Sequence, residues 1–402
     1  RDRPFFSVFN LAASHESNII KHPDSLVYDP AEMDLPLYYE DTPTARKDFA
    51  ILFTRITEMD RHVGEIIQQL KKDNLYDNSY IFFYSDHGGN LPWMKREILE
   101  RGTHIPFLVK FPDRENAATT NNNLISAVDF APTVLSIAGI EPPDYMQGKA
   151  FLGKYKEQPR KYAFAGRDRN ANKYDRVRAV TDGSFRYIYN FNPELPKYQD
   201  TDYRKGISTM QEILKMKDED KIDNPYLKDW FVAPKSVEEL YYSKKDPDEV
   251  HNLADNAAYA SKKKELKDAL FGWIEEVGDL SAIPERTMVI ENWWNSKTKP
   301  PKTAKPKIVR SGNGIKITCS TDGASIGYRI FSSKDASKTE TKTARSWDFG
   351  YAGAYTNGKD TVEVPLPWDV YNGDVIQLQE GEILYINAHR IGYLPTEVTY
   401  TY

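Results

Sequence analysis

Residues 80–89 read Tyr-Ile-Phe-Phe-Tyr-Ser-Asp-His-Gly-Gly. Five large, mostly apolar residues with no polar alternation suit a short strand covered on both faces, as in a parallel sheet flanked by helices. The run ends in a carboxylate and an imidazole side by side, followed by two glycines that let the chain turn sharply. Ligand sites in such sheets gather at the carboxyl ends of strands, so Asp86 and His87 stand where functional side chains belong. By itself the triplet is equally well a turn with an Asp cap, and its meaning depends on what surrounds it.

Upstream, Ala45, Phe49, Leu52, Phe53, Ile56, Met59, Val63, Ile66, Ile67 and Leu70 recur at three and four residues. That spacing predicts one long amphipathic helix from Thr44 to near Lys72, ended by Asp73-Asn74. Further upstream, Pro4 to Leu11 reads as a buried strand, with His15 just beyond it. Downstream, the pattern predicts a strand from Ile105 to Phe111 and a helix from Ser126 to Ala138, stopped by Gly139 and Pro142-Pro143. Strand and helix in alternation indicate an α/β domain with a mainly parallel sheet flanked by helices, residues 1–159. Residues 160–295 then shift to short strands (Arg176–Thr181, Phe185–Asn190) and helices, including one over Lys262–Val277, as in a smaller α+β subdomain. Residues 296–307, with Pro300-Pro301 and five lysines, read as a linker. Residues 308–402 alternate β-branched and polar residues between Gly, Asn and Asp turns, which predicts an all-β sandwich module.

Composition narrows the function. The 402 residues carry a net charge of -5, unlike the basic surface a nucleic-acid binder needs. A single cysteine, Cys319, excludes an internal disulfide. No stretch has the length of apolar sequence that a membrane-spanning helix needs. The chain opens Arg-Asp-Arg-Pro-Phe-Phe without Met, as a chain that begins mid-domain. Two more candidates join Asp86 and His87. Lys95, seven residues past Gly88, is a compact cation suited to a tetrahedral oxyanion, and His15 is expected at the same sheet edge. Each residue alone has a commoner structural explanation; three features converging on one edge change that balance.

Taken in order, these segments resemble the type I, formylglycine-dependent sulfatases of the alkaline-phosphatase superfamily. The resemblance runs through Pro4-Phe-Phe with His15, Met59-Asp60-Arg61-His62-Val63-Gly64, Asp77-Asn78-Ser79 and Tyr84-Ser85-Asp86-His87-Gly88. It continues through Gly102-Thr103-His104-Ile105-Pro106, Ala127-Val128-Asp129-Phe130-Ala131-Pro132-Thr133, Met146-Gln147-Gly148, Glu239-Leu240-Tyr241, Asp246-Pro247 and Asn252-Leu253-Ala254. Collinear blocks over residues 1–280 are far more specific than one motif. Their wording is closest to bacterial sulfatases similar to heparan N-sulfatase.

The resemblance implies hydrolysis of sulfate esters or sulfamates on a sulfated carbohydrate such as a glycosaminoglycan, in a bacterial periplasm or outside the cell. It implies that Asp86 and His87 ligate one divalent cation, usually calcium. Lys95 and His15 would contact the sulfate and act catalytically on the leaving group, and His104 would lie on the substrate side. Loops 18–43 and 190–235 would shape substrate selection. The family's nucleophile is a formylglycine made in a Cys/Ser-x-Pro/Ala-x-Arg motif, and Cys319 stands in no such motif. The resemblance therefore implies that an N-terminal segment with the nucleophile and further metal ligands lies outside this chain, and that these residues alone are inactive. Two other readings stay open: a phosphodiester or phosphonate hydrolase of the same superfamily, and a non-catalytic glycan-binding homologue. In the β module, Trp347, Phe349, Tyr351, Tyr355, Trp368 and Tyr371 are candidates for a sugar-stacking face, against the commoner role of filling a core.

Overall fold

A computed structural model of the chain describes residues 4–331, 339–343, 361–365 and 368–402. It forms two compact units, residues 1–279 and 280–402.

In the first unit a short helix α1 (Glu16–Ile20) precedes the long helix α2 (Pro43–Lys72). Thr42 caps α2 by accepting the Ala45 N–H, and Pro43 fits the first turn, where its missing N–H costs no hydrogen bond. Strand β1 (Ile81–Tyr84), helix α3 (Glu100–Thr103), strand β2 (Phe107–Lys110) and helix α4 (Phe130–Ile137) follow. Next come β3 (Ala163–Asn170), β4 (Lys173–Thr181), β5 (Arg186–Asn190), α5 (Ser208–Asp218), α6 (Pro225–Asp229), β6 (Glu238–Tyr241) and α7 (Ala260–Glu276). β3 to β6 make a four-stranded antiparallel sheet in sequence order. α7 lays Leu266 and Leu270 on it against Val180, Tyr187 and Leu240. A larger core joins the start of α2 (Phe49, Ala50, Ile51) to Leu91, Trp93 and Met94, to Met210 and Ile213 of α5, and to Trp230.

The α/β class stands, and the pairing differs from expectation in two places. β1 and β2 pair antiparallel, Ile81 opposite Lys110 and Tyr84 opposite Phe107, because the chain reverses through α3 before returning. Every strand pair within the described sheets is antiparallel. The run Pro4–Leu11 forms no strand, and its Phe6 is 72% exposed. An apolar pattern supplies a face to bury, but a strand also needs a neighbour for its N–H and C=O groups, and no described strand pairs with it.

The second unit opens with α8 (Glu285–Met288) and continues through β7 (Lys307–Ser311), β8 (Gly314–Thr318), β9 (Ser325–Phe331), β10 (Thr339–Thr343), β11 (Thr361–Pro365), β12 (Asp369–Val370), β13 (Ile376–Gln377), β14 (Ile383–His389) and β15 (Thr396–Thr401). Sheets β12-β9-β14-β15 and β13-β8-β7 share a core of Ile315, Ile317, Ile376, Leu384 and Ile386. Of the stacking candidates, Trp347, Phe349, Tyr351 and Tyr355 lie outside the described residues. The Arg329 guanidinium covers Trp368, 4.0 Å from its ring centre, and the Tyr371 hydroxyl accepts the Ile317 N–H.

Candidate functional site

β1 delivers Ser85-Asp86-His87 into a turn that only glycine permits. A Cβ on Gly88 would sit 1.8 Å from the Arg101 carbonyl oxygen, and the Gly88 N–H donates to Gly102 O at 2.9 Å. Gly102 is equally tight, its Cβ position 2.1 Å from Glu97 O. The two glycines press the Asp86–His87 turn against α3.

The segment after Gly89 is a loop with the burial of a core element. Leu91, Trp93 and Met94 are nearly inaccessible. Trp93 stacks on Tyr38 at 4.9 Å and meets Trp230 at 5.1 Å, while the Tyr39 hydroxyl donates to Pro92 O. Trp93 and Arg96 both adopt positive φ, 65° and 78°. Bulky side chains hold that conformation only where their surroundings enforce it. Behind the loop a charge ladder runs Arg204–Glu97–Arg167–Asp175–Lys235, with contacts of 3.0, 2.7, 2.7 and 2.6 Å, tying the loop to β3 and β4.

The His15 segment is fastened to this loop twice. Asn90 Nδ2 donates to Ser14 O, and Arg96 grips Glu16 with both terminal nitrogens, 2.9 and 2.6 Å from its carboxylate oxygens. Lys95 Nζ lies 3.5 Å from the same carboxylate. His15 caps α1, its Nδ1 accepting the Ser17 N–H at 3.2 Å. A nitrogen that accepts is unprotonated, so neutral His15 carries its proton on Nε2 and offers a donor there. Burial, then the charge of Lys95, lowers the pKa of His15, which favours this neutral form at pH 7. Lys95, Glu16, His87 and Asp86 all act electrostatically on His15. The structure thus brings together four of the five residues singled out in the sequence.

His87 Nδ1 lies 2.8 Å from Gly88 O. A carbonyl cannot donate, so Nδ1 carries the proton and the Nε2 lone pair is left for a cation, with Asp86 Oδ1 3.6 Å away. Among the described residues no group of three or more His, Cys, Asp or Glu side chains could hold a metal ion. The fifth residue, His104, pairs with Glu100 at 2.7 Å and is three-quarters exposed.

Comparison with known proteins follows this geometry. The family model described as Sulfatase matches residues 1–140, and that described as N-sulphoglucosamine sulphohydrolase, C-terminal, matches residues 89–229. An ulvan-active sulfatase of Formosa agariphila is 39% identical over 390 residues, 96% of this chain and 60% of that protein. The chain belongs to the sulfatase family. The N-sulphoglucosamine sulphohydrolase of Homo sapiens is 27% identical over 281 residues, 66% of this chain and 55% of that protein. A solved 2-O glycosaminoglycan sulfatase is 16% identical with a TM-score of 0.42, over 69% of this chain and 55% of that one. This sulfatase chain spans a little over half the length of the curated relatives it matches first.

Sequence reading passed over three residues of the site: Glu16, Asn90 and the gripping role of Arg96. The available signal was position, since Glu16 adjoins His15 and Arg96 adjoins Lys95. The one cysteine of the sequence, Cys319, donates to Ala304 O at 3.4 Å within the second unit.

Proposed function

We propose that this protein removes sulfate, as an ester or sulfamate, from a sulfated glycan such as a glycosaminoglycan. The observation that carries the reading is Lys95, tied to Glu16 next to His15, with a His15 whose Nδ1 accepts from Ser17 and so leaves Nε2–H as its donor. An ammonium and an imidazole donor are the pair that binds a sulfate oxyanion and steadies charge on a departing oxygen or nitrogen. The names of the relatives, which act on ulvan or on N-sulphoglucosamine, support this substrate class.

Asp86 and His87 would hold the cation, calcium in this reading. Two donors meet only part of the ~6–8 ligands calcium takes, so they form one side of its coordination. When bound, the ion neutralises charge on the sulfate oxygens. His104 reaches substrate from the Glu100 side. The reading assigns the formylglycine to residues outside these 402, since no Cys/Ser-x-Pro/Ala-x-Arg sequence occurs among them, and it expects no turnover from them alone. Residues 1–159 and 160–295 would build the catalytic and supporting parts, and 308–402 an accessory module. A periplasmic or secreted setting suits the substrate; no helix among the described residues is long and apolar enough to cross a membrane.

The test is sulfate release from sulfated oligosaccharides by the intact protein, read by ion chromatography. Lys95→Ala and His15→Ala should each lower the rate by roughly a hundredfold or more. Wild-type rates in both variants, or no release from any sulfated glycan, would refute the reading.

A further inference from the structure

The side chain of Glu16 is fully buried. Burying a carboxylate is costly unless cations meet it, and here two do. Arg96 meets both oxygens, and Lys95 approaches one of them at 3.5 Å. Consecutive residues in ordinary backbone direct their side chains apart. Arg96 adopts φ 78° and directs its side chain to the carboxylate its neighbour also reaches. A left-handed arginine is unfavourable by about 1 kcal/mol or more, and the fold retains it.

We infer that Glu16 is a positioning residue: it clamps the Lys95–Arg96 pair so that Lys95 is held at a fixed place beside His15. A lysine side chain otherwise has four rotatable bonds and swings widely. Arg96 saturates the carboxylate and is braced by Tyr203, its guanidinium 5.9 Å from the ring centre. Lys95 takes the remaining reach of one oxygen and keeps protons for an anion. The sum of Lys95, Arg96 and Glu16 is one positive charge, so the clamp also limits how strongly the site retains a free anion. The inference deepens the sulfatase reading and rests on it for its meaning, but not for its test.

The decisive measurement is acetylation of the intact protein by an amine-reactive ester, with peptide mass spectrometry. Lys72, exposed at the end of α2, serves as the internal reference. In Glu16→Gln, Lys95 should react at least about fivefold faster relative to Lys72 than in the wild type, because its side chain is released. Glu16→Asp keeps the charge but withdraws it by one methylene, and should free Lys95 about twofold; it carries the test if the glutamine variant does not fold. Unchanged Lys95 rates in both variants overturn the clamp. Calorimetric titration with inorganic sulfate adds a double-mutant cycle. Lys95→Ala should weaken binding about tenfold in the wild type and less than about twofold in Glu16→Gln. An equal factor in the two backgrounds overturns the clamp and leaves sulfate recognition standing. Faster Lys95 labelling in Glu16→Gln, with no sulfate bound by the wild type, supports the clamp and counts against the sulfatase site.

Discussion

Asp175→Ala should destabilise the first unit strongly at pH 7 and much less at pH 9. Asp175 is fully buried and joins Arg167 at 2.7 Å to Lys235 at 2.6 Å. Removing it affects the two cations unequally. Arg167 keeps Glu97 at 2.7 Å. Lys235, its side chain 1% exposed, loses the hydrogen-bonding partner of its Nζ and is left as a buried charge. Breaking a buried pair in this way costs about 3–5 kcal/mol. A lysine has an escape, which is to release its proton, and burial already lowers the pKa of Lys235 against the pull of Asp175. Neutralising it at pH 7, from the ordinary 10.5, costs at most about 4.8 kcal/mol, and at pH 9 about 2 kcal/mol. In the variant the folded pKa lies below the unfolded one, so the unfolded chain binds more protons and stability rises with pH. Urea unfolding at both pH values, read from protease cleavage within β4 and β5, measures the difference. The loss should shrink by about 2–3 kcal/mol between pH 7 and pH 9. Asp175→Ala with Lys235→Met should lose most of this dependence. A loss below about 1 kcal/mol at pH 7, or one equal at both pH values, would refute the argument.

Gly88→Ala should lower stability by about 1–3 kcal/mol and displace the Asp86–His87 turn, because the added methyl meets the Arg101 carbonyl. A calcium titration followed by melting temperature should then lose its wild-type upward shift; retention of the full shift would count against Asp86 and His87 as ligands. His104→Ala tests a pH-dependent pair. Burial pushes the Glu100 carboxyl up, but His104 and Arg186 overcome this and hold it at about 2. Its stabilising contribution is therefore complete above 4.5 and is lost as pH falls towards 2. The hydrogen bond to Glu100 raises the pKa of His104, whose contribution is complete below 6.5 and is lost as pH rises through the folded value. Melting curves should show the His104→Ala deficit near pH 5.5 and not at pH 9, and under about 1 kcal/mol because the imidazole is mostly exposed.

Elements with a sustained local period were legible in the sequence. α2 falls at 43–72 against an expected start at Thr44 and end near Lys72, since ten apolar positions keep one phase and Thr42-Pro43 mark its start. β1, β2, β4, β5 and α7 fall within three residues of their predicted bounds. β3 was missed because Arg167, Asp168 and Arg169 interrupt its alternation; Arg167 is buried only through Glu97 and Asp175, partners far from it along the chain or hidden by context. α5 lies within 190–235, where the sequence pattern presents a loop, because its first turn is held by Asp48 on α2, which accepts the Thr209 N–H and hydroxyl from far along the chain. The direction of pairing and the absence of a strand at Pro4–Leu11 depend on neighbours, which periodicity does not contain. Asp86, His87, Lys95 and His15 stand out in the sequence as candidates by order and type, whereas the contact of Glu16 with Arg96 appears only in the folded chain.

The loop from Gly89 to Leu99 behaves as core, and this has a consequence for how the site can diversify. Loops ordinarily absorb insertions and deletions, and families vary there first. Here Trp93 stacks on Tyr38 and packs against Trp230, and Gly102 has no room for a methyl, so a one-residue change in length would shift Lys95 out of phase with every anchor. Heritable variation in substrate preference should collect on the more exposed stretch 18–43 and in the turns of 190–235. On the proposed sulfatase reading, a mutational library of the intact protein aimed at a new sulfated sugar would retain most active members by randomising those stretches and leaving 88–102 untouched.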